Sequence, residues 1–245
     1  MASKPFAVIA GVGGGTGASV ARKFALAYPV ALLARNPDNY GPLVQEINAS
    51  GGKAVGISTD VADAASVKKA FGQITTEFGD GLAAAVYNVG GKFVRKPFLD
   101  LSYEEFEAGW DANGRGAYNF SQQVLPLLAK SPESRTHPPT LIFTGATASV
   151  KANASMASFA TGKWALRALS QSLAKEFGPQ GVHVSHAIID GVIDVPHTKG
   201  WEVGGGKPDA KISSEAIADS YWHLHTQPRS TLTWEVDIRP WVEKW

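Results

Sequence analysis

The sequence lacks cysteine and carries almost no net charge. None of its 245 residues is a cysteine, which excludes disulfides, thiol catalysis and cysteine-ligated metals. Its 23 basic and 22 acidic side chains give a formal net charge of +1, so no basic excess favours nucleic acid as a partner. No apolar run approaches the roughly 18 residues of a membrane-spanning helix, and no signal-like segment opens the chain. We therefore expect a soluble cytoplasmic protein with a small-molecule ligand, without metal, membrane or nucleic acid.

Short apolar runs alternate with helical patterns along the whole chain. The runs are typical of buried parallel strands and fall at 6–10, 30–34, 54–58, 82–86, 141–144, 182–189 and about 232–238. Helical patterns fall at 18–27, 38–49, 61–78, 103–129, 155–177 and 214–226. Parallel strands joined by helices need right-handed crossovers, so the pattern predicts a single α/β domain over 1–245. Its doubly wound sheet should have about seven mainly parallel strands, with helices on both faces.

Two segments have a specific expectation of their own. The irregular segment 194–212 contains Gly204–Gly206 and is the longest loop, so we interpret it as a mobile substrate loop. His183 and His186 lie on a predicted strand, where we expect both to pack on one side of the sheet.

A glycine-rich turn follows the first strand and opens the first helix. A dinucleotide pyrophosphate needs backbone N–H groups at a helix N-terminus, and a Cβ in this turn would block its approach. The strand–turn–helix context is the condition that supports such a motif. The turn predicts a Rossmann-type dinucleotide site that uses Gly11, Gly13, Gly15, Thr16 and Gly17.

The end of the second strand bears on cofactor choice. An NAD enzyme places a carboxylate there for the ribose 2′-hydroxyl, whereas a 2′-phosphate needs a cation. The segment ends in Arg35 and Asn36, with no acid, and arginine matches phosphate as a charge-assisted partner. We expect NADP(H) to be favoured over NAD(H), although an arginine that only covers the adenine face is the alternative.

The spacing Gly11-x-x-x-Gly15-x-Gly17 resembles the short-chain dehydrogenase/reductase family, and the resemblance extends over nearly the whole chain. It implies a nicotinamide cofactor, a homodimer or homotetramer joined through the two long helices, and Lys163 as the active lysine, which also binds ribose. Asn113 matches an asparagine that holds a structural water near that lysine. Other implied cofactor contacts are Asp60, Val61, Asn88, Gly90, Gly191 and Ile193.

Two positions depart from the family pattern. Phe159 stands where the family has its catalytic tyrosine, and Ala146 stands where it has its catalytic serine. Phenylalanine cannot donate a proton at any pH. A water held by Lys163 and Asn113 is one candidate source. Asp190, Asp194 and His197 are the others, although Asp190 could instead cap backbone N–H groups and His197 could be a solvated loop residue. Thr147 and Ser149 could hydrogen-bond the substrate carbonyl or only cap a turn.

The sequence thus favours an NADP(H)-dependent oxidoreductase with a non-standard proton source, acting on a small, moderately apolar carbonyl or enone. The alternatives are a non-redox enzyme, such as an isomerase or cyclase, and an inactive NADP(H)-binding regulator. We expect the substrate to contact Phe93, Val150, His197 and Trp201, and Lys92 could attract an acid group or simply be solvated.

Overall fold

The structure is a computed structural model that describes residues 5–91, 93–130 and 136–244. Its centre is a seven-stranded sheet in the order β3-β2-β1-β4-β5-β6-β9, and every neighbouring pair is parallel. The strands are β1 (Phe6–Ala10), β2 (Val30–Ala34), β3 (Ala54–Ser58), β4 (Leu82–Tyr87), β5 (Thr140–Thr144), β6 (His183–Ile189) and β9 (Glu235–Ile238). The predicted doubly wound, single-domain α/β fold is confirmed.

Helices cover both faces of the sheet and form two apolar cores. The helices are α1 (Thr16–Ala25), α2 (Gly41–Ala49), α3 (Ala64–Phe78), α4 (Tyr103–Trp110), α5 (Gly116–Leu128), α6 (Ala157–Phe177) and α7 (Ser214–Thr226). Side chains of α3, α5 and α6 pack on one face. Side chains of α1, α2 and α7 pack on the other. Strands buried on both faces explain the near-continuous apolar runs in the sequence.

The prediction of one continuous helix over 103–129 was wrong in one respect. Residues Asp111–Arg115 form a π-helical turn between α4 and α5. Glycines flank and occupy this turn, at Gly109, Gly114 and Gly116, and each lies against a neighbour that leaves little room for a Cβ. A π turn inserts one extra residue and changes which way the following side chains face. That shift occurs where Asn113 lies.

The two histidines of β6 also differ from expectation. His183 and His186 are three residues apart, so the alternation of a strand puts them on opposite faces. His183 contacts the Thr233 carbonyl, whereas His186 contacts Glu235, which also binds Arg167 of α6. The prediction that they share one side was therefore wrong.

The segment 194–212 is irregular, as expected, but its ends are joined. Strands β7 (Ile193–Asp194) and β8 (Ile212–Ser213) pair in parallel, and short 3-10 turns occupy Pro196–Thr198 and Gly204–Gly206. Lys211 extends this closure, since its Nζ donates to the carbonyls of Thr198 and Lys199 at 2.7 and 3.1 Å.

Candidate functional site

Loops that follow the carboxyl ends of six parallel strands meet at one edge of the sheet. In open α/β sheets this edge carries the ligand-binding crevice, where the strand order reverses. The reversal lies between β1 and β4. The glycine turn follows β1 and Asn88 follows β4, so these two segments form the centre of the crevice.

The glycine turn is packed so tightly that two of its positions admit no side chain. Gly11 has a φ of +84°, and a Cβ there would lie 2.4 Å from the Asn88 carbonyl oxygen. A Cβ on Gly17 would lie 2.4 Å from the Gly11 carbonyl oxygen. The Asn88 side chain holds the turn, because its Nδ2 donates to that same Gly11 oxygen at 3.1 Å. Strand, turn and helix α1 are thereby fixed together.

The outer part of the turn is open at Gly13 but covered at Gly15. A Cβ on Gly13 would meet no atom within 4 Å. Gly15 caps α1 without a side-chain hydrogen bond, and Thr16 begins the helix. Beyond Gly15 lies Val195, whose Cγ1 would be 2.6 Å from a Cβ at that glycine. The turn is thus open at Gly13, whereas the side chain of Val195 lies against Gly15 at the start of α1.

The ends of β2 and β3 lie beside the turn. Arg35 is exposed, and among the described residues its guanidinium makes no hydrogen bond or ion pair, whereas its carbonyl accepts from Ser58 Oγ at 2.7 Å. The Asp60 carboxylate accepts from the Ala62 N–H at 3.0 Å. The carbonyl of Val61 accepts from Asn119 Nδ2 at 2.9 Å, which ties this loop to α5. Arg35 thus presents a free cation at the crevice edge.

Lys163 is a buried ammonium with few partners. It is 4% exposed, and its Nζ donates to the Thr144 carbonyl at 2.9 Å, its only hydrogen bond to a described residue. Burial lowers the pKa of Lys163 to about 8, because the charged form loses solvation. The side chain can therefore hold a proton or release it near physiological pH.

Phe159 lies one helical turn before Lys163, and its ring contacts two functional candidates. The Lys163 Nζ is 5.9 Å from the centre of the Phe159 ring. The Phe93 ring meets it edge to face, with centroids 5.4 Å apart. Phe159 is partly exposed and Phe93 largely exposed. The structure therefore brings an aromatic pair over the lysine, at the position where the family resemblance implies a hydroxyl.

Thr147 and Asp190 lie together after β5 and β6. The Thr147 hydroxyl donates to Asp190 Oδ1 at 2.5 Å, and the Arg239 guanidinium is 3.3 Å from Asp190 Oδ2. Both oxygens of the carboxylate are thus engaged. Ala146 has no hydroxyl to offer, and its N–H donates to the buried Ser149 Oγ at 3.1 Å. These contacts favour the turn-stabilising interpretation of Thr147, Ser149 and Asp190.

Asn113 is completely buried in the π turn. Its Nδ2 donates to the Gly109 carbonyl at 3.0 Å, while its Oδ1 has no hydrogen-bond partner among the described residues. Its Cβ lies near Gly162, the residue before Lys163. A buried carbonyl oxygen without a donor is costly unless a water satisfies it. The arrangement fits the structural water that the family resemblance implies.

The remaining candidates lie around the crevice. Val150 is exposed after a 3-10 turn, and the rings of His197 and Trp201 are 6.3 Å apart in the segment 194–212. Trp201 borders a cavity of about 550 Å³ within that segment. Gly90 is open, Gly191 packs against Pro240, and Ile193 begins β7. Lys92 lies outside the described residues.

Sequence reasoning missed a group of side chains behind Lys163. Arg167 donates two hydrogen bonds to Glu235 at 2.6 and 2.8 Å, and His186 Nδ1 lies 3.0 Å from Glu235 Oε2. Arg167 follows Lys163 by one helical turn, so the sequence alone could have placed these two side chains on the same face of the helix. Glu235 lies far along the chain, so nothing in the sequence indicated that it contacts Arg167 and His186.

No helix in the described ranges has both the length and the apolar character to cross a membrane. Within those ranges no three acidic or histidine side chains gather in a way that could hold a metal ion.

The fold and these residues define a nucleotide-binding α/β protein of the dehydrogenase type, and comparison with known proteins identifies the family. Residues 5–203 match the family described as short chain dehydrogenase. The chain belongs to the short-chain dehydrogenase/reductase family, whose members bind a nicotinamide cofactor, and is an oxidoreductase of that type.

Similar proteins include several oxidoreductases. An uncharacterised oxidoreductase of Staphylococcus epidermidis is 29% identical over 235 residues, which cover 96% of each chain. The short-chain reductase protein NovJ of Streptomyces niveus is 28% identical, with 96% of this chain and 87% of NovJ covered.

Solved structures show the same fold. A short-chain dehydrogenase from Rhodopseudomonas palustris is 31% identical, with a TM-score of 0.78 and coverage of 96% of this chain and 99% of that one. A metagenomic short-chain oxidoreductase in complex with NADP has a TM-score of 0.79 at 23% identity, with 97% of this chain and 98% of that one covered.

Proposed function

We propose that this protein is an NADP(H)-dependent oxidoreductase that reduces a small, moderately apolar carbonyl or enone, with Lys163 in place of tyrosine as the source of the proton. One observation carries the proposal. Lys163 is buried after the carboxyl end of β5, and the ring centre of Phe159, a residue without a hydroxyl, lies 5.9 Å from its Nζ.

The cofactor cradle supports dinucleotide binding. The packed glycines hold the start of α1 against β1, and the turn is open at Gly13, where the backbone can approach a pyrophosphate. Arg35, whose guanidinium is unpaired as far as the described residues go, is the residue for a 2′-phosphate, and Asp60, Val61 and Asn88 frame the same edge. The bound nicotinamide would supply the hydride.

Lys163 is suited to supply the proton. A general acid works best when its pKa lies near the working pH, and burial brings the pKa of Lys163 to about 8. At neutral pH the ammonium is charged and has N–H groups left after its bond to Thr144. It can pass a proton to a nearby water or substrate atom. Asn113, through its unpartnered Oδ1, would hold such a water.

The aromatic pair supports an apolar, unsaturated substrate. Phe93 and Phe159 present ring faces and edges on which a flat substrate can pack. Hydride transfer to an enone produces an enolate, whose charge is delocalised, whereas hydride transfer to a ketone produces a localised alkoxide. The enolate needs less help from an acid as it forms, and its carbon can be protonated in a later step by Lys163 or by water. An activated alkene is therefore the favoured member of the substrate class.

A broad reduction assay tests this proposal. Purified protein should consume NADPH in the presence of apolar enones or carbonyls, and Lys163→Met should lower that rate by about 100-fold or more. NADPH binding without consumption across the panel would favour a non-redox enzyme or a regulator instead.

The proposal extends to the assembly. Tyr103, Trp110 and Tyr118 expose large aromatic surfaces on α4 and α5, which suits contact with a second copy as a homodimer or homotetramer. Light scattering on the purified chain tests this, and a monomer at micromolar concentration would contradict it.

A further inference from the structure

A buried hydrogen-bonded group lies on the side of Lys163 that faces the sheet. His186 of β6 is completely buried, and its Nδ1 is 3.0 Å from Glu235 Oε2 of β9. Arg167 of α6 binds both oxygens of the same carboxylate. None of these residues lies in the turn loops that form the crevice.

The group fixes which nitrogen of His186 carries the hydrogen. Arg167 holds the pKa of Glu235 below its ordinary value, so the carboxylate is ionised and can only accept. Nδ1 must therefore carry the hydrogen and donate it, as is usual for a carboxylate-bound imidazole. Burial lowers the pKa of His186 to about 4, so the ring is neutral. Nε2 is then a bare lone pair, buried and without a partner among the described residues.

That lone pair lies against Gly145, which follows the residue that accepts a hydrogen bond from the lysine. His186 Nε2 would be 2.3 Å from a Cβ on Gly145, the residue after the one whose carbonyl accepts from Lys163. Lys163 also precedes Arg167 by one turn on the same helix face. Burial is the main cause of the low pKa of His186, and the positive charge of Lys163 adds a smaller lowering.

The hydrogen-bonding groups of His186 and Lys163 are complementary. Within the described part of the chain, His186 Nε2 accepts no hydrogen bond, and Lys163 Nζ donates only to the Thr144 carbonyl. They make no direct hydrogen bond. One buried water between them would satisfy both, and buried polar groups are seldom left unsatisfied.

We propose that His186 is a positioning residue for Lys163, which it holds through one bridging water. This proposal depends on the proposed function only for the use that the contact serves. An acceptor at this point favours the charged form of Lys163, and that form must carry the proton. The charged groups facing His186 are Glu235 from β9 and Lys163 and Arg167 from α6. From the end of β5 come only the Thr144 carbonyl and Gly145.

The test is an NMR titration of the full-length chain, with or without NADP. Lysine labelled with carbon-13 at Cε reports the pKa of Lys163, and the signal is assigned by its loss in Lys163→Met. His186→Asn keeps a donor for Glu235 but removes the acceptor. We expect it to lower the pKa of Lys163 by about one pH unit, which is a tenfold fall in the ratio of ammonium to amine at a given pH. His186→Gln restores an amide near the Nε2 position and should recover most of the difference.

His183→Asn is the matched control, because that buried histidine of β6 lies on the other face. This control variant should leave the pKa of Lys163 unchanged. An identical Lys163 titration in folded His186→Asn would overturn the proposal. Should that variant not fold, nitrogen-15 spectra of the wild type decide: His186 Nε2 must shift with the midpoint of Lys163, and a flat response overturns the proposal. Neither readout needs turnover, so an inactive protein with these results would refute only the proposed function.

Discussion

The Nζ of Lys163 lies 5.9 Å from the centre of the Phe159 ring, inside the protein, and no carboxylate of the described residues is bonded to it. In most settings a buried ammonium is stabilised by an opposite charge. Here one carbonyl and an aromatic face remain, and an aromatic face attracts a cation only weakly by comparison. The lysine therefore stays close to losing its proton, which suits a site where no tyrosine can give one.

Restoring the two absent hydroxyls tests how much of the usual geometry is intact. We expect Phe159→Tyr with Ala146→Ser to create carbonyl reductase activity with NADPH, since the Lys163 ammonium would lower the pKa of the new tyrosine. Each single variant is a control and should gain much less. A double variant that folds and binds NADPH but reduces no ketone would show that more than the hydroxyls differs.

Two glycines of the same turn should behave differently when replaced by alanine. Gly17→Ala should destabilise the fold by several kcal/mol, because its Cβ would lie 2.4 Å from the Gly11 carbonyl oxygen. Gly13→Ala meets no protein atom within 4 Å, so the melting temperature should not change while NADPH binding weakens. Thermal unfolding and cofactor titration measure the two effects. Normal NADPH affinity in Gly13→Ala would place the pyrophosphate elsewhere.

Arg35 should determine cofactor preference. With no competing acid and no partner among the described residues, its guanidinium is available to a 2′-phosphate. Arg35→Ala should weaken the binding of NADPH by about 10-fold or more, and the binding of NADH much less. Lys175→Ala removes an equal charge from an exposed position near the end of α6 and should affect neither. Equal losses of both cofactors in Arg35→Ala would contradict the assignment.

Lys163 should make stability depend on pH in the alkaline range. Its pKa is about 8 when folded and about 10.5 when unfolded, so between these values the unfolded chain binds more protons and stability rises with pH. Below pH 8 the folded protein carries the full free-energy cost of burying a charged lysine. Lys163→Met should then be more stable than the wild type by about 1 to 3 kcal/mol, and the difference should shrink from pH 8 to 10.5. Denaturant unfolding measures this, with exposed Lys175→Met as control, and a pH-independent difference would contradict burial of the charge.

Much of this architecture could be predicted from the sequence because its signals are local. Strand β3 was predicted with its observed bounds, Ala54–Ser58, since a short β-rich run lies between a glycine pair and a polar turn. The glycine turn was predicted for the same reason. The π turn at Asp111–Arg115 was not, because an extra residue within a helix leaves the apolar pattern nearly unchanged.

The site was harder to predict where its parts come from distant segments. Asp190 was a candidate acid, but Arg239 and Thr147 bind both its oxygens, and the pairing with Arg239 arises from the parallel alignment of β6 and β9. The contact of Val195 with Gly15 likewise depends on where a late loop crosses an early turn. Such contacts follow from the tertiary fold and have no local signature.

Isotope transfer tests the central claim most directly. Protein supplied with NADPH carrying deuterium at its transferable position is incubated with a panel of apolar enones and carbonyls, and products are analysed by mass spectrometry. We expect deuterium in a reduced product, at a rate that falls above pH 8 as Lys163 loses its proton and by about 100-fold or more in Lys163→Met. Binding of NADPH with no deuterium in any product, or an equal rate in Lys163→Met, would contradict it.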